Sequence, residues 1–342
     1  MSKKIINQPK KRLSLKIEAA ESRKFDFAVG GQAVMEGVMM RSPNYIVIAV
    51  RKSGGEILIK EERFVSWGKR LGVSKIPVLR GMVGLVESMY IGVRALNFSN
   101  DVFLSSETKK SDHELKSDGN RTIHEVLIGV VSLVIGLALA LFLFKWLPLF
   151  ITDFLSGSFP ILNDTYIYFN IIDGILKTLF FLIYLILIAQ LPDIKRLFQY
   201  HGAEHKSITT YESVDESGAN AGKKLIDVLV PVEAKKHTRF HPRCGTSFII
   251  IVFMMSILVY TLVPTHSEFL LKFLERIAML PLIAGVSYEA LKYSAKHMDK
   301  WIVRQIIKPG LWFQKITTAE PDLKQLEVGL ASLKRALELE SK

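Results

Sequence analysis

The chain has 342 residues, of which 49% are hydrophobic, and a formal net charge of +12. A mean hydropathy of +0.25 reflects more apolar side chains than one soluble core needs, which argues against an ordinary water-soluble protein. A single cysteine, Cys244, rules out an internal disulfide and fits a reducing compartment. No basic stretch is interleaved with aromatic residues as in a nucleic-acid module, so we expect no nucleic-acid partner.

The N-terminal part predicts a mobile basic tail followed by a folded region. Residues 1–25 are charged and lack periodicity, which is typical of a tail. Residues 26–103 predict a cytoplasmic α+β region. Within it, residues 45–50 and 56–60 are rich in β-forming side chains and flank a Ser-Gly-Gly turn, which predicts a β-hairpin.

A helix is predicted for residues 77–98. Its apolar positions recur at intervals of three and four, so this helix lies in the membrane interface or packs on membrane spans. On the same helix, Glu87 has Arg80 and Arg94 as its expected partners. Residues 104–122 are polar and rich in Ser, Lys and Asp, which predicts a linker.

Four apolar segments within a membrane domain of residues 123–292 predict membrane spans. A helix needs about 20 apolar residues to cross the hydrocarbon layer. The segments are residues 123–144 (with the apolar run continuing to 150), 171–191, 247–263 and 270–291. The fourth carries charges at both ends and is alternatively re-entrant or interfacial. The predicted fold class is an α-helical integral membrane protein, with about four transmembrane helices and a cytoplasmic N-terminal α+β region.

Basic residues in the connections predict the orientation. Residues 151–170 contain no Lys or Arg, whereas residues 193–245 contain nine. Basic loops stay in the cytoplasm. Four helices with both termini cytoplasmic place every basic connection on that side of the membrane. We therefore predict a multi-pass protein of the inner (cytoplasmic) membrane, with the lipid bilayer as its partner.

The C-terminal region, residues 293–342, is predicted to be cytoplasmic and helical. Residues 321–339 form an amphipathic pattern with a stripe of leucines at positions 323, 326, 330, 333 and 337. Such a stripe pairs with a second copy or packs on the chain's own cytoplasmic region. The sequence therefore permits an oligomer but does not indicate one.

The most informative polar residues are histidines in the connection of residues 193–245. His201 and His205 are four residues apart, so on a helix they face the same way and can share one metal ion. Glu204 beside them is a further ligand or a general base for hydrolysis. The order His-x-x-Glu-His also matches the inverzincin pattern of some metallopeptidases.

A second group of potential ligands directly precedes the third span. It contains His237, His241 and Cys244. We predict a divalent metal site, with zinc as the leading ion, held by His201, His205, His241 and Cys244. Alternatively, histidine and arginine next to a membrane bind anionic lipid headgroups or phosphate, and Cys244 is a small apolar residue that opens the span.

The glycine-bounded stretch of residues 30–41 carries three further polar candidates. Glu36 is a second candidate general base, and its alternative reading is an exposed charge in a turn. Gln32 and Arg41 are candidate ligand-binding residues in the same stretch, as is Arg243 beside Cys244.

Five motifs in this order carry a family resemblance over roughly residues 25–320. They are GGQAVMEGVMMRSP, PVLRGMVGLVESM, YHGAEHK, HPRCGTSF and SYEALK. Together they resemble the YqhQ-like family, domain of unknown function 1385. The resemblance implies a bacterial membrane protein with a metal-dependent enzymatic activity. The motif positions that it carries onto this chain are Glu36, Arg41, His201, Glu204, His205, His241 and Cys244.

Two functions of different classes are therefore expected. The first is a membrane-embedded, metal-dependent enzyme of hydrolytic type, with Glu204 or Glu36 as the general base. The second is a non-catalytic scaffold or transporter-like protein that holds an anionic lipid or solute through Arg41, His201 and Arg243.

Overall fold

The computed structural model describes residues 29–108, 123–164, 166–216, 228–262 and 268–341. The predicted tail of residues 1–25 lies outside these ranges, as do residues 109–122 of the predicted linker. The strands are β1 (Gly30–Val34), β2 (Gly37–Arg41), β3 (Tyr45–Arg51) and β4 (Ile57–Arg63).

The helices fall into two groups along the chain. The first are α1 (Trp67–Arg70), α2 (Leu79–Thr108), α3 (Ile123–Leu141), α4 (Leu147–Ser158), α5 (Ile161–Asp164) and α6 (Tyr166–Ile188). The second are α7 (Pro192–Glu216), α8 (Pro231–Lys236), α9 (Gly245–Leu262), α10 (Phe269–Ala278), α11 (Leu280–Lys296), α12 (Trp301–Thr317) and α13 (Leu323–Glu340). A 3₁₀ turn at Val73–Lys75 precedes α2, and a π-helical turn at Phe142–Trp146 joins α3 to α4.

The four strands form one antiparallel sheet in the order β1-β2-β3-β4. The predicted hairpin is confirmed, with Val50 opposite Leu58 in the pairing of β3 with β4. The glycine-bounded stretch forms a second hairpin, which the sequence did not predict, and Glu36 occupies its turn with a φ of 51°. A Cβ atom on Gly37 would clash with the carbonyl oxygen of Ala49, so glycine is needed where β2 enters the sheet.

Helices cover both faces of the sheet. Side chains alternate along a strand, so Ile46, Ile48 and Val50 pack with α2 while Val47 and Ala49 pack with α7 and α13. A strand buried on both faces has apolar residues at odd and even positions alike. For this reason β3 is a continuous apolar run in the sequence. We call β1–β4 with α2, α7 and α13 the sheet unit.

The C-terminal helix completes this sheet unit. Its leucines at 326, 330, 333 and 337 are buried in the cluster that includes the sheet, whereas Leu323 is 45% exposed. Of the two expected roles for the stripe, the helix therefore packs on its own chain. Asp322 begins α13 with a capping box, in which its side chain accepts from Gln325.

Three helices within the described ranges are long and apolar enough to cross a membrane: Leu127–Ser158, Tyr166–Ile188 and Gly245–Leu262. They correspond to the first three predicted spans. Residues 270–291 instead form two helices, because α10 ends before Met279 and Pro281 lies in the first turn of α11. These residues do not form a single crossing helix, and the total number of spans stays a prediction.

Helix α12 packs against α9 along one continuous stripe. Its buried residues recur at intervals of four and three: Val303, Ile307, Gly310, Gln314 and Thr317. A Cβ atom on Gly310 would lie 2.8 Å from the Ser247 hydroxyl oxygen, so the two helices meet closely there. The end of α12 is thereby held beside the beginning of α9 and the middle of α7.

Candidate metal centre

Helix α7 presents two histidines on one face. The rings of His201 and His205 are 4.4 Å apart between centroids, as expected for residues one helical turn apart. Between them, Gly202 faces the segment that follows α12, where a Cβ atom would clash with the carbonyl oxygen of Ala319. Glycine therefore allows the end of α12 to approach the histidines.

The turn before α9 brings a thiol to these histidines. Cys244 Sγ lies 3.2 Å from Nε2 of His201. One ligand atom from each of His201, His205 and Cys244 lies within 4.8 Å of the other two. We call these three residues the His–Cys cluster.

Main-chain carbonyl groups fix the tautomers of both histidines. Nδ1 of His201 donates to the carbonyl oxygen of Thr317 at 2.8 Å, and Nδ1 of His205 donates to that of Arg239 at 2.5 Å. A carbonyl oxygen can only accept, so the proton resides on Nδ1 and the lone pair of a neutral ring lies on Nε2. Burial lowers the pKa of His205, with its hydrogen bond to Cys244 partly opposing that shift, so the neutral ring is favoured.

Glu204 is enclosed next to the cluster. Its side chain is 6% exposed, and Oε2 lies 3.4 Å from Nε2 of His205. The amide of Gly31 donates a hydrogen bond to this carboxylate, and burial raises the pKa of Glu204. A Cβ atom on Gly31 would lie 2.6 Å from Cγ of Glu204. A glycine in β1 therefore leaves the room that this carboxylate occupies.

The fourth predicted ligand, His241, lies beside the cluster but points to another partner. Its ring centroid is 5.7 Å from that of His205, while its Nε2 lies 3.2 Å from Oε2 of Glu212. Burial raises the pKa of Glu212, but its hydrogen bonds and charge interactions with His241 and Arg243 outweigh burial and hold the pKa below its usual range. The structure therefore brings together three of the four predicted ligands.

Gln314 of α12 holds the main chain at His241. Its Oε1 accepts from the His241 amide at 2.8 Å, and its Nε2 donates to the His241 carbonyl at 2.7 Å. The Gln314 side-chain amide is fully buried and bonds both main-chain groups of His241. It fixes the loop that carries both the Arg239 carbonyl and Cys244.

The remaining predicted residues are engaged elsewhere. The Glu36 carboxylate pairs with Arg196 and accepts from the Tyr200 hydroxyl at 3.1 Å. Gln32 packs on α2, where a Cβ atom on Gly92 would lie 2.6 Å from its Oε1. The His237 ring lies against Ser213.

Arg41 lies over the Phe64 ring, 4.6 Å from its centroid, and bonds Glu87 at 2.5 Å. The expected pairing of Glu87 with Arg80 or Arg94 is wrong. Each of those arginines is seven residues from Glu87, about 10.5 Å along the helix, and they pair with Glu289 and Glu62 instead.

Three residues of the site were missed in the sequence. Glu212 follows His205 by seven residues, so helical spacing places it on the same face and could have identified it. Gln314 is a polar residue within an apolar stripe, which is the signal of a buried hydrogen-bonding role. Gly31 has no comparable signal, because its role depends on the contact between β1 and α7.

Comparisons with known proteins agree on the family. The family model described as a protein of unknown function (DUF1385) matches residues 76–339, which include His201, His205 and Cys244. The chain is 33% identical over 319 residues to the uncharacterized protein YqhQ of Bacillus subtilis (strain 168), covering 92% of this chain and 93% of that protein. No solved structure matches.

Proposed function

We propose a function for this chain, which belongs to the DUF1385 family of proteins of unknown function: a membrane-embedded, metal-dependent enzyme of hydrolytic type. The observation that carries the proposal is the pair of hydrogen bonds from Nδ1 of His201 and His205 to main-chain carbonyls. Ligating histidines in metal sites use the same second-shell arrangement, which orients the ring and increases its basicity.

The donor set fits a divalent transition metal. Two imidazoles and one thiolate suit zinc, and three protein ligands leave one position for a substrate, as in catalytic rather than structural sites. Such an ion, when bound, acts as a Lewis acid toward a carbonyl or phosphoryl oxygen. His201, His205 and Cys244 would hold it, and His241 would stay with Glu212.

Glu204 is the better of the two candidate general bases. Its carboxylate oxygen is 3.4 Å from Nε2 of His205, and the Gly31 amide orients it. The carboxylate of Glu36, in contrast, is neutralised by Arg196. In this arrangement Glu204 accepts a proton from the attacking water during hydrolysis. The amide of Gly31 keeps the Glu204 carboxylate directed at the site.

The site belongs, in this proposal, to the cytoplasmic face of the cell membrane. The nine basic residues of positions 193–245 favour a cytoplasmic location for α7 and for the beginning of α9. Both termini would then also be cytoplasmic.

The anion-binding scaffold has less support. Arg41 pairs with Glu87 and Arg243 pairs with Glu212, so two of the three expected anion-binding residues are already neutralised. We therefore do not adopt it as a second function.

Elemental analysis of the detergent-purified chain, prepared without chelators, tests the proposal. We expect about one equivalent of metal in the wild-type protein and none in a His201→Ala, His205→Ala variant. His297→Ala is the matched control, because His297 is only partly buried and stacks on Tyr293, outside the cluster. Metal retained in the double variant, or none in the wild type, would refute the metal centre.

A Glu204→Gln variant separates the base from the ligands. This substitution keeps the shape of the side chain, so the metal content should match that of the wild type while hydrolytic turnover of a model ester or phosphoester is lost. If the metal is lost as well, Glu204 is a ligand and the assignment of the base is wrong.

A further inference from the structure

A second buried polar cluster surrounds Tyr260 near the end of α9. The charged atoms of Lys145, Lys177 and Arg276 lie 5.4, 5.2 and 4.6 Å from the centroid of its ring. Lys145 belongs to the π-helical turn at Phe142–Trp146, and such turns recur at functional sites. We call these three residues, together with Asp173, the cationic cluster.

The cationic cluster is remote from the His–Cys cluster. Tyr260 follows Cys244 by 16 residues of sequence, and nearly all of them belong to α9. The separation along this helix is therefore about 24 Å. The two clusters lie at opposite ends of the same candidate span.

The internal bonds of the cationic cluster are well defined. Asp173 pairs with both Lys177 and Arg276, and these three side chains are no more than 2% exposed. Arg276 Nη2 donates to Oδ1 of Asn170 at 2.5 Å. Lys145 donates to the Tyr260 hydroxyl at 3.0 Å, and that hydroxyl donates to the Arg276 carbonyl at 3.0 Å.

Basic side chains nevertheless outnumber acidic ones here. Lys272 pairs with Asp153 nearby, and Glu275 precedes Arg276 in α10. With every group ionised, the region has four cations (Lys145, Lys177, Lys272 and Arg276) and three carboxylates (Asp153, Asp173 and Glu275). An uncompensated buried charge costs roughly several kcal/mol in a low-dielectric setting. One bound anion would therefore stabilise the ionised cluster.

Four buried atoms show what kind of group would fit. Within the described ranges, the donors Arg276 Nε and Asn170 Nδ2 have no hydrogen-bond partner, and neither do the acceptors Asp173 Oδ1 and Glu275 Oε2. Buried polar groups are otherwise nearly always bonded. A phosphate that also bears hydroxyl groups would satisfy both kinds of atom, because its oxyanion accepts hydrogen bonds and its hydroxyl groups donate them.

We propose that the cationic cluster binds a monoanionic phosphate that also bears hydroxyl groups. Arg276, Asn170 and Lys145 donate to its phosphoryl oxygens, and Asp173 and Glu275 accept from its hydroxyls. Arginine suits phosphate because its planar donors match the oxyanion geometry. A lipid headgroup of the glycerol phosphodiester type and free dihydrogen phosphate both have this chemistry.

The test measures the unfolding midpoint of the full chain in detergent with three additives. They are dihexanoyl phosphatidylglycerol, dihexanoyl phosphatidylcholine and inorganic phosphate. We expect a saturable rise of the midpoint with phosphatidylglycerol and none with phosphatidylcholine, which has no net charge. A rise with inorganic phosphate instead would identify a free anion as the ligand. No rise with either anion would overturn the proposal.

A lysine variant assigns the binding to this cluster. Lys145→Gln removes one positive charge. The affinity for the stabilising anion should fall about tenfold, which is the effect of losing one charge-assisted hydrogen bond. Lys308→Gln on the exposed side of α12 makes the same charge change elsewhere and should bind as the wild type does. Equal affinity in Lys145→Gln and the wild type would refute the assignment.

Native mass spectrometry of the wild-type chain gives a readout that does not depend on a variant folding. From an equimolar mixture of the two lipids, retained phosphatidylglycerol should exceed phosphatidylcholine about tenfold. Equal retention would overturn a lipid ligand.

Discussion

The two buried clusters at the ends of α9 are stabilised in different ways. In the His–Cys cluster, main-chain carbonyls of Thr317 and Arg239 accept from the outward nitrogens of the histidines, and the inward nitrogens face a thiol. In the cationic cluster, charged side chains bond one another, and four buried atoms in and beside it (on Arg276, Asp173, Asn170 and Glu275) have no hydrogen-bond partner within the described ranges. The first cluster is organised by the backbone and the second by charge, so substitutions should affect them very differently.

The largest effect is expected from Asp173→Asn, which removes the carboxylate shared by Lys177 and Arg276. Leaving buried cations without a partner should lower the free energy of unfolding by about 3–5 kcal/mol. Denaturant unfolding in detergent measures this loss, with exposed Asp193→Asn as the control. The metal content of the folded fraction should not change, because the clusters are far apart. Unaltered stability would contradict the buried ion pairs.

A smaller loss is expected from Gln314→Ala, which frees both main-chain groups of His241. Two unsatisfied buried groups should destabilise the chain by about 2–3 kcal/mol. The loop that carries Cys244 should loosen, so metal affinity should fall about 10- to 100-fold. Gln305→Ala, nine residues earlier on the opposite side of α12, is the control in a competition titration with a metal indicator. Equal affinities in both variants would exclude this supporting role.

The adjacent glycines of β1 give a matched pair with an intermediate effect. A Cβ atom on Gly31 meets Cγ of Glu204 at 2.6 Å and the Met39 carbonyl at 2.9 Å, whereas a Cβ atom on Gly30 meets nothing within 4 Å. Gly31→Ala should therefore cost about 1–3 kcal/mol through overpacking, and Gly30→Ala should be near neutral. Thermal unfolding compares the two variants. Similar midpoints would mean that β1 does not contact α7 as described.

The smallest effect is expected at the beginning of α13. Asp322→Ala removes the side-chain acceptor of the capping box and should cost about 1 kcal/mol. Neither metal content nor lipid retention should change, since the Asp322 carboxylate accepts from the Gln325 amide and no hydrogen bond among the described residues joins it to either cluster. Asp193→Ala in the first turn of α7 serves as a comparison in the same unfolding assay. A change in metal content or in lipid retention would show that the clusters depend on the docking of α13.

Local patterns predicted much of this molecule. Length and hydropathy were enough for three candidate spans, and two runs of β-forming residues flanking a Ser-Gly-Gly turn were enough for the hairpin of β3 and β4. The spacing of His201 and His205, together with a cysteine just before a span, was enough to predict that these three candidate ligands lie together. Each of these signals lies within a short stretch of sequence.

What could not be predicted depends on contacts between distant segments. The side chain of His241 turns to Glu212 because Gln314, 73 residues away, fixes its main chain. The charges of the expected fourth span were read as a weakness, but in α10 Lys272 and Arg276 are buried while Leu270 and Leu274 are exposed. No rule of periodicity within one helix distinguishes these arrangements, since the burial of α10 is set by Asp153 and Asp173.

The carbonyl groups that orient the two histidines have a genetic consequence. Every amino acid supplies a main-chain carbonyl, so no codon change at position 239 or 317 removes the acceptor itself. Arg239 should therefore tolerate many residues in a saturation library, provided that the loop keeps its path. Position 317 should accept only those that fit its buried setting. If His201 and His205 bind a metal ion as proposed, they should tolerate no substitution, so the two imidazoles should be far more sensitive to mutation than the two positions whose carbonyls orient them.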